Sequence, residues 1–170
     1  KNPELPELEL RMVAEMIGVG AVKYADLSTE RTKNYVFDWN RMLSFEGNTA
    51  PYLQYAHARI CSIFRRANLD RESARNASIS LNHPNERSLA RAIIGFAEAL
   101  DDAIDSHSPH RLATYLRGLA QSFASFYESC PVLIAEDEAT RASRLTLCDG
   151  VARVLENGLG LLGIDVPERM

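Results

Sequence analysis

Ser108-Pro109 opens the segment that most limits how this chain can fold. Leu112, Leu116, Leu119, Phe123 and Phe126 follow at steps of four, three, four and three residues. That spacing lines five large apolar side chains along one stripe of a helix; in a strand they would scatter over both faces. Pro109 suits a first helical turn, where its missing N–H costs little. Cys130-Pro131 predicts the stop, because the residue before a proline avoids helical backbone. A stripe this long must be covered, and the cover that other segments offer is also helical.

Pro51 opens a second helix, with Leu53, Ala56, Ile60, Ile63 and Phe64 at helical spacing and an end near Ala67. Leu145, Cys148, Val151, Leu155 and Leu159 predict a third, introduced by Glu136-Asp137-Glu138, whose charges suit a helix N-terminus. Residues 5–17 read as a helix stopped by Gly18-Val19-Gly20, with a short helical piece over 21–27. Thr29 to Asn34 reads as loop, and Tyr35-Val36-Phe37-Asp38-Trp39 as extended, followed by a turn or short helix. Pro84-Asn85-Glu86 opens another helix, Leu89 through Phe96, and 98–104 continues helical. Asn68 to Asn82, rich in Asn, Ser and Arg, reads as a mobile loop with room for a short helix. Gly158, Gly160 and Gly163 should loosen the last helix and release Asp165 to Met170 as an extended tail. The expectation is all-α: a bundle of four or five helices behind a shorter N-terminal segment.

At 170 residues the chain can hold one sizeable core, or one core and an appendage. No apolar run is long enough to span a membrane. Lys1-Asn2-Pro3-Glu4 leads into no apolar stretch, so it reads as no signal peptide, and the missing initiator Met reads as a cut from a longer chain. Cys61, Cys130 and Cys148 are odd in number and far apart, which suits small buried hydrophobes in a reducing cytosol. The net charge of −4 argues against strong nonspecific binding to nucleic acid. Charge is uneven, however. Residues 57–91 hold seven Arg against three acids, and residues 98–138 hold two Arg against eight. A basic band beside an acidic one suits a polyanion on a short track, a partner domain, or ordinary surface.

Gly47-Asn48-Thr49-Ala50-Pro51-Tyr52-Leu53-Gln54-Tyr55-Ala56-His57-Ala58-Arg59 is the densest polar and aromatic stretch. Asn48 or Thr49 can cap the helix, and Tyr52, Tyr55 and Arg59 share a face, with Gln54, His57 and Ala58 round the side. A capped core helix explains the same spacing. No phosphate loop, Gly-x-Ser-x-Gly, His-Glu-x-x-His or Cys-x-x-Cys is present. Asp101, Asp102, Asp105, His107 and His110 are spaced too loosely for a metal and read as a solvated helix end. Recognition fits better than catalysis. Unpaired RNA bases stack on Tyr and Arg planes while Arg and Lys steer phosphates, and Tyr52, Tyr55, Tyr115, Tyr127 and Arg144 flank the apolar stripes. A protein-interaction bundle using the same aromatic face stays open. So does a small helical enzyme using His57 with an acid such as Asp101.

Several blocks resemble the C-terminal part of arginyl-tRNA synthetase, a class I aminoacyl-tRNA synthetase family. They are Val19 to Ser28, Tyr35 to Trp39, Gly47 to Ile60, Pro109 to Leu116, Phe126 to Val132, Arg144 to Cys148, Leu161 to Ile164 and the closing Glu168-Arg169-Met170. The resemblance implies an α-helical anticodon-binding domain over residues 46–170, with residues 1–45 the tail of the catalytic region. It implies arginine tRNA as partner through its anticodon stem-loop, a missing N-terminal catalytic domain, no membrane and a cytoplasmic setting. ATP and Mg2+ are implied for the full-length enzyme. Neither is implied for this piece, which lacks the His-x-Gly-His and Lys-Met-Ser-Lys-Ser signatures and should be inactive alone. By match to the family's blocks, Gln54, His57 and Arg59 line a tRNA-facing junction. Tyr115, Tyr127, Arg144 and Met170 are the further candidate RNA contacts, those of the Pro109 helix, the Phe126-Tyr127 block and Met170 approaching the anticodon loop.

Overall fold

A computed structural model describes residues 5–170. The reading of Lys1 to Glu4 lies outside the described residues. Among those described there are seven α-helices, one 3-10 helix and no strand: α1 Glu7–Leu27, α2 Trp39–Met42, α3 Ala50–Ala67, the 3-10 helix Arg71–Asn76, α4 Pro84–Ile94, α5 Phe96–Asp105, α6 Pro109–Ser129 and α7 Glu138–Leu161.

The stripe of α6 is the centre of the molecule. Leu112, Leu116, Leu119, Phe123 and Phe126 are all buried, and α1, α3, α4, α5 and α7 pack round them. Leu53, Ile60, Ile63 and Phe64 come from α3, and Val151, Leu155 and Leu159 from α7. Near its start α7 bonds Pro131, just past α6, and near its end Gly158 meets Leu116, so α7 runs back along α6. The three cysteines are buried and unpaired.

Two boundaries differ from the expectation, because close packing at Gly20 and Gly158 outranks the local cost of glycine. α1 does not stop at Gly18-Val19-Gly20 but continues to Leu27. A Cβ on Gly20 would lie 3.0 Å from Gln54 Nε2 and 3.1 Å from Ile164, so this glycine serves a helix crossing. Beyond it Tyr24 is buried, donating to the Ala113 carbonyl of α6 at 3.1 Å and to Asn48 Oδ1 at 2.9 Å. α7 likewise continues through Gly158 and Gly160, and only Gly163 takes left-handed backbone, at φ +68°. The bundle has seven α-helices because α2 forms a short turn and α4 and α5 break at Gly95.

The segment 68–82 is tied to α7. Arg71 Nε and Arg75 Nε grip opposite oxygens of the buried Asp149 carboxylate, each at 3.1 Å. Ser80 exchanges two hydrogen bonds with Ser143 Oγ. Two of the seven arginines in the basic band are therefore spent on an ion pair with α7.

Candidate nucleic-acid interface

Thr49 starts α3: its hydroxyl accepts from the Tyr52 N–H at 3.3 Å and donates to the Ser44 carbonyl at 2.7 Å. This cap sets the rotation of the helix. Tyr55, Arg59, Ser62 and Arg66 then recur every three or four residues down its outer face. Tyr55 is 40% exposed. The Arg59 guanidinium lies 4.8 Å from the Tyr55 ring centre and 5.4 Å from that of Tyr127, at the far end of α6. It also donates to the Tyr55 hydroxyl at 3.1 Å. Phe45 braces Tyr55 edge-on and Phe123 braces Tyr127, with centres 6.0 and 5.9 Å apart.

These groups line a cleft of about 250 Å³, with Leu133 and the half-buried Met170 along its wall. It is open and smaller than the roughly 300–1,000 Å³ usual for a cofactor pocket. A flat ring stacked on tyrosine and guanidinium planes suits it, with Arg66 at the rim for an anion. Arg59, Tyr127 and Met170 meet here from three distant parts of the sequence. Tyr55, Ser62, Arg66 and Leu133 also line it. The heptad step from Arg59 to Arg66 was visible in the sequence, whereas Leu133 carried no signal.

The other four candidates lie elsewhere. Gln54 is 0% exposed and His57 1%. The Gln54 amide donates to the Met16 carbonyl at 3.1 Å and the Asp165 carbonyl at 2.8 Å, and His57 Nδ1 bonds the Pro167 carbonyl at 3.2 Å. Helix α3 turns these residues toward α1 and the closing tail, away from water. Tyr115 precedes Tyr127 by twelve residues, about 18 Å along the helix. Its hydroxyl donates to the Ala92 carbonyl and its ring packs on Phe96, pinning α6 to α4 and α5. Burial pushes its phenol up to about 12. Arg144 Nε pairs with Glu86 Oε1 at 2.7 Å and its Nη1 donates to the Pro131 carbonyl at 2.8 Å. Its cationic head is committed to the inside of the bundle.

Residues 53–170 match the DALR anticodon binding domain family. The chain belongs to that family. Residues 1–39 match the class I (R) tRNA synthetase catalytic domain family. Over all 170 residues the chain is 52% identical to an arginine–tRNA ligase of Proteus mirabilis and 50% to one of Edwardsiella ictaluri, spanning 29% of each. The bundle superposes on an arginyl-tRNA synthetase of Thermus thermophilus at TM-score 0.89 and 39% identity, covering 99% of this chain and 29% of that one. With the Plasmodium falciparum enzyme the TM-score is 0.82 at 32% identity, over 94% of this chain and 28% of the other. The chain thus spans about 30% of the relatives' length and corresponds to their C-terminal part. The DALR bundle here also packs α1, all of which falls in the catalytic-family match, into its own core through Gly20, Ala21 and Tyr24.

Among the described residues of this DALR chain, no group of three His, Cys, Asp or Glu could hold a metal ion. Asp102 of the acidic stretch is taken by Arg111. No helix among the described residues is long and apolar enough to cross a membrane.

The burial of His57 has a measurable consequence. Desolvation holds its imidazole below the ordinary value, against the pull of the Pro167 carbonyl. The unfolded chain therefore binds a proton that the folded chain refuses. This contribution to stability is present above the ordinary histidine value of about 6.5 and is lost as the pH falls below it. Thermal melts from about pH 7.5 to about pH 5.5 should show that decline, and His57→Gln should flatten it. An identical slope in the variant would exclude His57 as its source.

Proposed function

We propose that this chain is the anticodon-binding module of an arginine–tRNA ligase. It grips the anticodon stem-loop of arginine tRNA while a catalytic domain outside these residues joins arginine to the tRNA with ATP and Mg2+ in the cytoplasm. Residues 1–45 are the end of the catalytic region and residues 46–170 the helical module. The exposed Val36, Phe37 and Trp39 support the first assignment, since a lone module has no reason to leave such side chains in water.

The observation that carries the reading is the Tyr55–Arg59–Tyr127 stack, open to solvent at a cleft walled by Met170. Unpaired anticodon bases stack on the tyrosine rings, and Arg59 and Arg66 hold neighbouring phosphates. Each stacked base contributes roughly 1–3 kcal/mol. With net charge −4 the module alone neutralises few phosphates, so its grip is weak and salt-sensitive. Joining it to an acceptor-end site on one chain raises the effective affinity. Gln54, His57, Tyr115 and Arg144 act behind the surface, holding the elements that form it.

At low salt, labelled arginine tRNA should bind the chain more tightly than the same tRNA with a changed anticodon. Tyr127→Ala should remove most of that preference and lower affinity about tenfold. Equal affinity for both tRNAs would refute base reading at this cleft.

A further inference from the structure

The closing tail reaches the cleft along a specific path. Beyond α7 the backbone turns at Gly163 in left-handed conformation, where Lys23 of α1 bonds the Gly163 carbonyl. The next residues have no regular structure, and three of their carbonyls are taken by side chains of α3. Gln54 takes Asp165, His57 takes Pro167, and Arg65 Nη1 takes Glu168 at 3.0 Å. These three side chains rise along one edge of α3 while Tyr55, Arg59 and Arg66 rise along the neighbouring edge. Ile164 and Pro167 of the tail are themselves buried. The path ends with Met170 in the wall of the cleft.

Gln54 and His57 are costly in this place. Both are buried polar groups, and Gln54 Oε1 has no hydrogen-bond partner. An apolar pair would fill the same space at lower desolvation cost. What it would not do is fix the register of an irregular segment, because dispersion contacts tolerate sliding and directional bonds to several carbonyls do not. Gly20 leaves room for the Gln54 amide, which a Cβ there would meet at 3.0 Å.

We propose that Gln54, His57 and Arg65 are positioning residues for RNA recognition. Without touching RNA, they lock the register of residues 165–168 and so deliver Met170 to the base-stacking cleft. This rests on the reading of the cleft as the RNA site. A slip of one residue would move the tail by up to about 3.3 Å and draw Met170 away from the wall.

The test is a double-mutant cycle on the whole chain, read by tRNA titration and by amide exchange over residues 163–170. Arg65→Met carries little folding risk because Arg65 is exposed; His57→Leu probes the buried bond, and His57→Gln is the conservative restoration. Met170→Ala, Arg65→Met and His57→Leu should each weaken tRNA binding about tenfold. Either latch variant combined with Met170→Ala should be no weaker than the worse single variant, because both remove the same contact. Tail exchange should speed up in the latch variants, and His57→Gln should recover most of the affinity. The slope of affinity against salt should stay unchanged in Arg65→Met; a phosphate contact there would lower it by about one. Additive losses, an altered slope, or full affinity with a loosened tail would each overturn the latch. If Tyr127→Ala and Met170→Ala both bind tRNA as tightly as the unaltered chain, the cleft reading itself falls. If Tyr127→Ala loses binding while Met170→Ala does not, that reading stands and the latch alone falls.

Discussion

Arg144→Ala lowers stability near neutral pH by about 3–5 kcal/mol, the cost of breaking a buried ion pair from one side. Arg144 is 12% exposed and its partner Glu86 2%. Glu86 does two jobs: its carboxylate accepts from the His83 N–H at 2.8 Å, closing the capping box of α4, and it holds Arg144. Burial alone would raise the Glu86 carboxyl; the His83 N–H and the Arg144 guanidinium more than offset it and keep the group below the ordinary carboxylate value. Without Arg144 the carboxylate stays buried with half its partners, and the Pro131 carbonyl loses its donor. Joint replacement by Glu86→Gln and Arg144→Met should cost less than Arg144→Ala alone, since no uncompensated charge is left. Urea denaturation of the two variants checks both statements. A loss below about 1 kcal/mol for Arg144→Ala would mean that the guanidinium is a surface group available to RNA after all.

Gly158→Val should be nearly as damaging. Even a lone Cβ at this position would sit 2.5 Å from Leu116 Cδ2 and 3.0 Å from Cδ1. Leu116 is fully buried in the centre of the α6 stripe, so its side chain can give way only against its core neighbours. Overpacking of this kind costs typically 1–3 kcal/mol and sometimes more, and the two γ-methyls of valine place it at the upper end. Gly158→Ala should cost less, because the gain of about 1 kcal/mol in helix propensity offsets part of the clash. Leu116→Ala alone should cost about 2–5 kcal/mol by leaving a cavity. In that background Gly158→Ala should become neutral or stabilising, since the methyl enters the vacated space. Strict additivity of the two substitutions would show that the helices can part at this crossing without loss.

Most of the helical architecture was legible in the residues because its cause is local. The stripe from Leu112 to Phe126 and the Pro51 helix needed only spacing and a start signal, and both lie where expected. The family blocks pointed to the same bundle. The misplaced boundaries fell at glycines. Gly20 and Gly158 carry helix-stop chemistry when read alone, yet each marks a crossing where another side chain occupies the room of the missing Cβ. That second use is invisible until the neighbour is known.

The candidate site divided in the same manner. Gln54 and Tyr55 are adjacent in the chain and similar in polarity, yet one is sealed between α1 and the tail and the other faces water. Tyr115 and Tyr127 share a helix, yet one is spent on α4 and the other forms the cleft. Periodicity states which residues share a face of a helix, and so the sequence by itself determined that this chain packs helices round α6 with polar and aromatic groups at their margins. It does not state which margin another segment covers. Only the tertiary structure decided that the tail lies over Gln54 and His57 while Tyr55, Arg59 and Tyr127 stay open, because that choice depends on contacts between residues more than a hundred positions apart.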